Sequence, residues 1–333
     1  MTRTSRTATV LAIVAVIAVG GILQVPAATE AAYTDTSNSA FPADNARLLQ
    51  LTPAPESNNM PTAMQGKTIS VAGGDSYASV AVDTQNNWYA WGSNANGEFS
   101  IPAGLSGKQI KQIAGGNGHL LALTTEGKVF AWGLNSMGQA TVPAAVNAKT
   151  IVQVSAGSSF SMALTSEGNL IGWGENRYGE LDIPSEIKGK FISQFVAGSW
   201  HVMAVTQDNA LSVWGASNPT QNVKTLPESA DWGRTIVGLA ANYQVCAVIF
   251  ENGAVLQWGT AAGGQIVNPA GLAGKRVKQV KQTQGASIFL TDDGQVFRSG
   301  SSSPTIPSTI SGKFIDQLFG TYRGVLFLES ATR

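Results

Sequence analysis

Apolar and polar positions along this chain follow one unit that returns at regular intervals. Each unit opens with a run that ends in small residues, such as Ile113-Ala114-Gly115-Gly116, followed by a run that is apolar throughout, such as Leu120-Leu121-Ala122-Leu123. A glycine-containing turn comes next, as at Glu126-Gly127, and then a third run that ends in Trp-Gly. Short runs joined by such turns predict β-strands connected as hairpins. The unit therefore predicts one small antiparallel sheet.

The Trp-Gly pair sets the period of the repeat. It recurs at Trp91, Trp132, Trp173, Trp214 and Trp258, with three intervals of 41 residues and a fourth of 44. One further step of 41 residues reaches Ser299-Gly300, a degenerate copy. Because these tryptophans stand at one register whatever the neighbouring turns contain, we interpret them as residues that pack between sheets. A fixed period of this length predicts a repeat architecture rather than separate domains.

A fourth short segment closes each unit, and it ends in proline. Proline cannot donate to a β-ladder, so this segment is predicted as the outer edge strand of a four-stranded sheet. The continuously apolar second runs must be covered on both faces, which happens when sheets pack radially against one another. Together these features predict an all-β protein, a β-propeller with four-stranded blades. The prolines are Pro102, Pro143, Pro184, Pro227, Pro269 and Pro307.

The two ends of the repeat region complement each other. Residues 312–328 repeat only the first two strands of the unit. Near the other end, Arg47-Leu48-Leu49-Gln50-Leu51 stands in the register of a third strand and Asn59-Met60-Pro61 in that of a fourth. With six other copies, this predicts a seven-bladed propeller whose closing blade is shared by the N- and C-terminal segments. Such closure removes an open sheet edge.

The residues before the repeats predict export. Arg3 and Arg6 precede an apolar run from Ala8 to Leu23, and Val25-Pro26-Ala27 offers small residues for cleavage. This is the outline of a secretory signal peptide over residues 1–27, with an uncleaved N-terminal anchor as the alternative. Residues 28–43 are predicted to be a flexible linker and residues 44–331 the propeller. We therefore expect a secreted or extracytoplasmic protein, with no membrane association beyond that anchor.

Composition narrows the classes of partner and chemistry. The formal net charge is zero and charged residues make up 13% of the chain, which argues against a nucleic-acid surface. The single cysteine, Cys246, lies in an apolar run and is predicted to be a buried small hydrophobe. Neither the two histidines, His119 and His201, nor any catalytic or phosphate-binding motif indicates an active site. We expect no cofactor and no metal.

One unit contains the run Trp132-Gly133-Leu134-Asn135-Ser136-Met137-Gly138-Gln139-Ala140-Thr141-Val142-Pro143, and Ala156-Gly157 and Ala163-Leu164 follow it. This sequence resembles the regulator of chromosome condensation repeat. The resemblance extends over residues 44–329 and implies a propeller fold. One branch of that family is a nuclear exchange factor for a small GTPase, from which this chain departs in its signal peptide and its lack of a basic tail or long insertion. Another branch is secreted and includes a propeller-type inhibitor of class A β-lactamases. Similarity to that branch implies a protein partner bound by aromatic residues at the loop tips of one face.

In each predicted blade, the loops after the first and third strands lie on the same face. Large and polar side chains vary there from blade to blade, as expected of a protein-binding surface. For Tyr77 and Phe160 an inward, core-packing orientation is equally consistent with the sequence, whereas exposure is favoured for Trp200, Tyr243 and Tyr322. The candidate partner-binding residues are Asp75, Tyr77, Asn117, His119, Phe160, Arg177, Tyr178, Trp200, His201, Asn242, Tyr243, Tyr322 and Arg323.

These features predict a monomeric, non-enzymatic propeller that binds an extracytoplasmic protein, with a class A β-lactamase as the named candidate. The alternative is a cell-envelope or carbohydrate-binding module. A lyase or hydrolase that uses the central face has the least support, because most carboxylates fall in the hairpin turns of the opposite face.

Overall fold

The structure is a computed structural model, and it describes residues 47–51, 60–64, 66–215, 223–228, 232–260, 266–283, 285–300, 306, 310–321 and 325–329. The predicted signal peptide and linker lie outside these residues. Among the described residues, no helix has the length and apolar character needed to cross a membrane.

Within the described residues, twenty-one strands form seven antiparallel three-stranded sheets. The strands are β1 (Arg47–Leu51), β2 (Ile69–Gly74), β3 (Ala78–Asp83), β4 (Trp88–Gly92), β5 (Ile110–Gly115), β6 (His119–Thr124), β7 (Val129–Gly133), β8 (Ile151–Ala156), β9 (Phe160–Thr165), β10 (Leu170–Gly174), β11 (Ile192–Ala197), β12 (His201–Thr206), β13 (Leu211–Gly215), β14 (Ile236–Asn242), β15 (Val245–Phe250), β16 (Val255–Gly259), β17 (Val277–Gln282), β18 (Ser287–Thr291), β19 (Val296–Ser299), β20 (Ile315–Gly320) and β21 (Val325–Glu329).

Six of the sheets are consecutive triplets, from β2–β3–β4 to β17–β18–β19. The first strands of successive sheets contact one another in series from β2 to β20, and β20 in turn contacts β2. The middle strands β3, β6, β9, β12 and β15 are buried along their whole length, since each sheet is covered on both faces. This is the radial packing that the continuous apolar runs predicted, and the fold is an all-β propeller of repeated sheets.

The seventh sheet joins the two ends of the chain. Strand β1 pairs with β21, with Arg47 opposite Glu329 and Leu51 opposite Val325, and β21 pairs with β20. The third-strand register predicted for residues 47–51 is therefore confirmed. One hydrophobic cluster contains Val80 of β3, Leu120 of β6 and Phe319 of β20, so the last sheet also packs against the first ones.

The predicted fourth strand is not present in the described residues, where each sheet has three strands. After the proline the chain forms a single helical turn instead, at Ala103–Leu105, at Ala270–Leu272 and at the short helix α1 (Ala144–Asn147). Proline has no N–H to lose at the start of a helical turn, so it fits there as well as on an edge strand. Each turn buries one apolar side chain, namely Leu105, Val146 or Leu272.

The repeated tryptophans join neighbouring sheets, as interpreted from their register. The indole Nε1 of Trp132 donates to the carbonyl oxygen of Glu98 at 2.7 Å, and that of Trp173 donates to the carbonyl oxygen of Gln139 at 2.8 Å. In both pairs the acceptor belongs to the loop that follows the preceding sheet. Because the rings are buried and their polar atoms are bonded, these residues serve packing.

A second connection between sheets was not anticipated from the sequence. Each first strand has a β-bulge after its first residue. A glutamine follows the bulge in five sheets, and Gln112, Gln153, Gln194 and Gln279 each bond the first strand of the next sheet. Gln112 donates to the Val154 carbonyl oxygen at 2.7 Å and accepts from the Val154 N–H at 3.0 Å. Gln153 bonds Phe195 in the same way.

Candidate functional site

The tip face consists of two sets of loops. One set is the turns between the first and second strands, which we call tip turns, and the other is the loops after the third strands. Because neighbouring strands are antiparallel, both sets lie at the same end of each sheet. The opposite face holds the hairpins between second and third strands, where exposed ion pairs such as Lys108–Glu126 and Lys149–Glu167 recur.

Backbone hydrogen bonds connect successive tip turns. Ser76 N–H donates to the carbonyl oxygen of Gly116 at 3.1 Å, Asn117 N–H to that of Ser158 at 3.1 Å, and Ser158 N–H to that of Ser199 at 2.9 Å. Each bond joins one sheet to the next. The tips are therefore held in fixed relative positions, which lowers the entropy that a bound partner would have to remove.

Five of the predicted binding residues have buried side chains. His119, Phe160 and His201 open their middle strands and are at most 1% exposed, while Asp75 and Asn242 are at most 6% exposed. The expectation that these five contact a partner is not supported. The first three face the core from the first position of a covered strand, whereas Asp75 and Asn242 are buried within their tip turns, where they accept backbone hydrogen bonds. Phe160 adopts the inward orientation that the sequence left open.

The two buried histidines lie in separate sheets and serve packing. The Nε2 of His119 lies 3.0 Å from Ser161 Oγ, and that of His201 lies 3.2 Å from Cys246 Sγ. Burial lowers the pKa of both imidazoles to about 4, so both are neutral at physiological pH. Burial also raises the pKa of the Cys246 thiol. The described residues contain no group of three or more His, Cys, Asp or Glu side chains that could hold a metal ion.

Asp75 is a buried carboxyl in a tip turn. Its Oδ1 accepts from the N–H groups of Tyr77 at 2.7 Å and Ala78 at 2.6 Å and so closes the tip turn. Desolvation by burial raises the pKa of Asp75 to about 7, although these two N–H donors act in the opposite direction; the Glu98 carboxylate adds to the increase. Its role is to hold the turn that exposes Tyr77.

Four predicted residues form one exposed cluster across three successive sheets. Tyr178 and Trp200 have ring centroids 6.4 Å apart in an edge-to-face arrangement, and Trp200 and Tyr243 have centroids 5.0 Å apart. The Arg177 guanidinium lies over the Tyr178 ring, 5.5 Å from its centroid. Arg177 and Tyr178 are exposed, and Trp200 and Tyr243 are half-buried. We call these four residues the aromatic patch.

Two of the predicted residues, Tyr77 and Asn117, have other placements. Tyr77 is 43% exposed, in the tip turn of the sheet β2–β3–β4, and Asn117 is half-buried in the next tip turn. The structure thus settles the orientation of Tyr77 as outward. Tyr322 and Arg323 lie outside the described residues.

Met137 was missed by the sequence reasoning, although it is 53% exposed on the same face. It occupies the register of Tyr178, 41 residues earlier, in the loop after a third strand. In both loops the backbone N–H at this position donates to a buried side chain two residues later, to Gln139 from Met137 and to Glu180 from Tyr178. Burial raises the pKa of Glu180, and the nearby Glu175 and Asp182 carboxylates raise it further. The shared register was the signal that could have identified Met137.

First strands also line a small central cavity of about 80 Å³. Its wall is mostly backbone and small side chains, among them Gly115, Ala156, Ala197 and Gly198, and it includes Lys281. A cavity of this volume is much smaller than the usual binding site for a small organic molecule.

Comparison with known proteins agrees with this geometry. The regulator of chromosome condensation (RCC1) repeat family matches residues 110–139 and 151–180, which correspond to two successive sheets with their following loops. This chain carries RCC1 repeats. The match extends to Gln139 and Glu180, whose carbonyl oxygens accept the Trp173 and Trp214 hydrogen bonds, so each matched segment includes the loop that links one sheet to the next.

Solved structures with the same RCC1-like propeller have low sequence identity. Prp20p from Saccharomyces cerevisiae matches with a TM-score of 0.68 at 15% identity, covering 90% of this chain and 94% of that one. Human WBSCR16 matches with a TM-score of 0.68 at 17% identity, covering 87% and 100%. The ectodomain of the Physcomitrella patens receptor kinase CR4 matches with a TM-score of 0.61 at 18% identity, covering 78% and 70%. No curated protein sequence matches this chain significantly. At these identities the likeness concerns the fold alone.

Proposed function

We propose that this RCC1-repeat chain is an exported, non-enzymatic, seven-bladed propeller that binds an extracytoplasmic protein through its tip face. The observation that carries the proposal is the aromatic patch, in which one arginine and three aromatic residues from successive sheets are in mutual contact at the surface. Tryptophan, tyrosine and arginine are the residue types that dominate the binding energy of protein interfaces.

The surroundings of the patch support a protein ligand over a small molecule. Met137 and Tyr77 extend the exposed apolar area to the tips of two further sheets, and the tip turns are fixed to one another by backbone hydrogen bonds. A broad and pre-formed surface of this kind suits a large partner. The small central cavity and the two buried, neutral histidines give no support to catalysis at the central face.

The comparisons are consistent with this type of activity. The structure of Prp20p is described together with its binding to Gsp1p and histones, and another structure contains yeast RCC1 (Prp20) bound to Kap60. Gsp1p, histones and Kap60 are partners of the yeast protein and are not carried over to this chain. For this chain, the outline of a signal peptide and the resemblance to the secreted branch favour an extracytoplasmic partner, with a class A β-lactamase as the first candidate.

The decisive experiment compares three baits in pull-downs from culture supernatant. The baits are the propeller without residues 1–27, its Trp200→Ala variant and its Phe191→Ala variant. Phe191 is a matched control because it is exposed to 46%, similar to Tyr178 at 41%, but lies beside Lys190 and Asp208 on the opposite face. We expect one protein to bind the unmodified bait and the Phe191→Ala variant, and to bind the Trp200→Ala variant at least about 30-fold more weakly, as for an anchor worth about 2 kcal/mol.

Two results would contradict the proposal. One is a set of bound proteins that does not depend on Trp200. The other is Trp200-dependent binding to insoluble cell-wall polysaccharide with no protein partner, which would establish the alternative, a carbohydrate-binding module. The β-lactamase candidate is tested separately, by following hydrolysis of a chromogenic substrate by several class A enzymes with the propeller at micromolar concentration. Unchanged hydrolysis would remove that candidate only.

A further inference from the structure

Tyr243 has an unusual backbone conformation for its residue type. Its φ is +33°, and the other non-glycine residues with positive φ in the described part of the chain are Asn86 and Asn209. Asparagine tolerates this region, whereas a bulky residue adopts it only where its surroundings enforce it. Something in this tip turn therefore holds Tyr243 in place.

The neighbouring Asn242 makes the bonds that do so. Its Oδ1 accepts from the N–H of Tyr243 at 2.8 Å, and its Nδ2 donates to the carbonyl oxygen of Gln282 at 3.1 Å, in the next sheet. On the other side, Ser199 Oγ donates to Asn242 Oδ1 at 3.4 Å, from the tip turn that contains Trp200. The amide thus connects three successive sheets.

Comparison with the equivalent tip turns shows what this amide replaces. Three other tip turns hold Ser76, Asn117 or Ser158 at the position that corresponds to Tyr243. Each of these three residues donates its N–H to a carbonyl oxygen of the next sheet. In the Tyr243 turn, the bond to the next sheet comes from the Asn242 side chain instead, and the same side chain satisfies the Tyr243 N–H. The N–H of Tyr243 thus bonds within its own turn rather than to the next sheet, which is compatible with its positive φ, and its ring lies against Trp200 with the centroids 5.0 Å apart.

We infer that Asn242 is a positioning residue that fixes Tyr243 against Trp200 and so pre-forms the aromatic patch. Asn242 is itself buried, so it contributes to recognition only through Tyr243. The importance of this role for binding rests on the proposed function, whereas the positioning itself is a property of the free protein. An experiment can therefore contradict the positioning role of Asn242 without contradicting the proposed function, and the reverse.

The test follows the indole N–H signal of Trp200 by NMR in the propeller lacking residues 1–27. Trp200→Phe identifies the signal, and Tyr243→Leu defines how far it moves when the neighbouring ring is lost. Asn242→Thr is the test variant, because threonine already occupies this position in another tip turn, as Thr283, where its Oγ1 accepts from the N–H of Ala286. We expect Asn242→Thr to move the Trp200 signal most of the way to its position in Tyr243→Leu.

Asn242→Asp is the conservative control. Its carboxylate keeps an acceptor for the Tyr243 N–H but loses the Nδ2 donor to the Gln282 carbonyl oxygen, so the Trp200 signal should move clearly less than in Asn242→Thr. The indole signals of Trp132, Trp173 and Trp214 report an intact fold, and Asn242→Ser provides the same test if Asn242→Thr does not fold. A Trp200 signal unmoved in the folded threonine or serine variant would overturn the assignment, as would an aspartate variant displaced as far as Tyr243→Leu.

Binding to the protein captured in the pull-down then separates the two proposals. If Asn242→Thr moves the Trp200 signal and weakens binding as much as Tyr243→Leu does, both stand. If the signal moves while neither variant changes binding, Asn242 remains a positioning residue and the proposed role of the patch is wrong.

Discussion

At the residue scale, the side chain that opens each middle strand determines what the tip turn before it can contain. His119, Phe160 and His201 are preceded, three residues earlier, by Gly116, Gly157 and Gly198, whose missing Cβ positions lie 2.0–2.4 Å from ring atoms. Where the equivalent position holds Ala78, Val245 or Ala286, the residue three positions earlier is Asp75, Asn242 or Thr283. In each of these sheets, the same space is therefore filled either by an aromatic ring or by a polar turn residue. Where the polar residue is present, its side chain closes the turn by accepting a backbone N–H hydrogen bond.

Because either a ring or a polar residue fills this space, substitutions at Gly157 and Phe160 should have coupled effects on the free energy of unfolding. Gly157→Thr should destabilise the protein by about 1–3 kcal/mol, because its Cβ would overlap Phe160. In a Phe160→Ala background the same change should cost nothing or stabilise, since the pair then copies Thr283 and Ala286. Urea unfolding of the two single variants and the double variant measures the coupling. Equal costs of Gly157→Thr in both backgrounds would contradict it.

Asp75 predicts a pH dependence of stability. Since its pKa is raised to about 7, the folded state binds a proton that the unfolded state has lost above about pH 4. The stabilisation is thus fully present below pH 4 and falls as the pH rises towards 7, by at most about 1.4 kcal/mol per pH unit. Asp75→Asn removes the ionisation but keeps an acceptor for the Tyr77 N–H. Its urea midpoint should exceed that of the unmodified protein at pH 7.5 by more than at pH 4.5, and an equal difference at the two values would be evidence against a raised pKa.

The sequence predicted which residues belong to the tip face but not all of their orientations. Trp200 and Tyr178 were identified because they stand at turn positions beside other bulky or polar residues. Phe160 and His201 were assigned to the same turns although they are the first residues of strands, and a shift of one residue at a strand boundary exchanges surface for core. Asn242 was assigned as a contact residue because its bonds to the Ser199 and Gln282 tips depend on residues about forty positions away in sequence, which only the assembled sheets bring together.

At the element scale, each sheet is joined to the next by three kinds of bond. The Trp-Gly strand donates an indole N–H to a preceding loop, the glutamine after the bulge clamps the next first strand, and the tip turns bond one another. The first was predictable because tryptophan recurs at a fixed register. The glutamine clamp was not, since a polar residue in a strand reads as solvent-facing until the neighbouring strand is placed. Proline was misleading at this scale, because it is compatible with both an edge strand and a helical turn.

The two classes of tryptophan should respond oppositely to substitution. Trp132→Ala should destabilise the fold by about 3–5 kcal/mol, because it leaves a cavity between sheets and an unpaired Glu98 carbonyl. Trp200→Ala removes a half-buried surface ring and should cost about 1 kcal/mol or less. Chemical unfolding monitored by circular dichroism compares them directly. Similar losses in both variants would show that the aromatic patch is part of the core.

At the scale of the whole molecule, the seventh sheet is the one formed from both ends of the chain. Among the described residues, the pairing between the two ends comes from β1 and β21, five residues each, in antiparallel register. The sequence predicted this pairing because residues 47–51 continue the spacing of the repeat backwards from Ile69. The prediction rested on the position of residues 47–51 within the repeat, not on their apolar character. The fourth-strand prediction at residues 59–61 lies partly outside the described residues, and Met60 and Pro61 are not part of a strand.

Deleting residues 44–62 should therefore affect the entire propeller. The deletion removes β1 and opens the edge of β21 that paired with it, along the apolar run Val325, Leu326, Phe327 and Leu328, while the other edge stays bonded to β20. An open edge of this kind promotes association between molecules and weakens the contact of the last sheet with the first. We expect the truncated protein to aggregate, or to unfold over a broader range of urea concentration with a lower midpoint. The matched control deletes residues 28–43, which precede the strand, and should unfold as the full propeller does. A truncation of residues 44–62 with an unchanged midpoint and slope would mean that the ring of sheets does not depend on the strand that joins its ends.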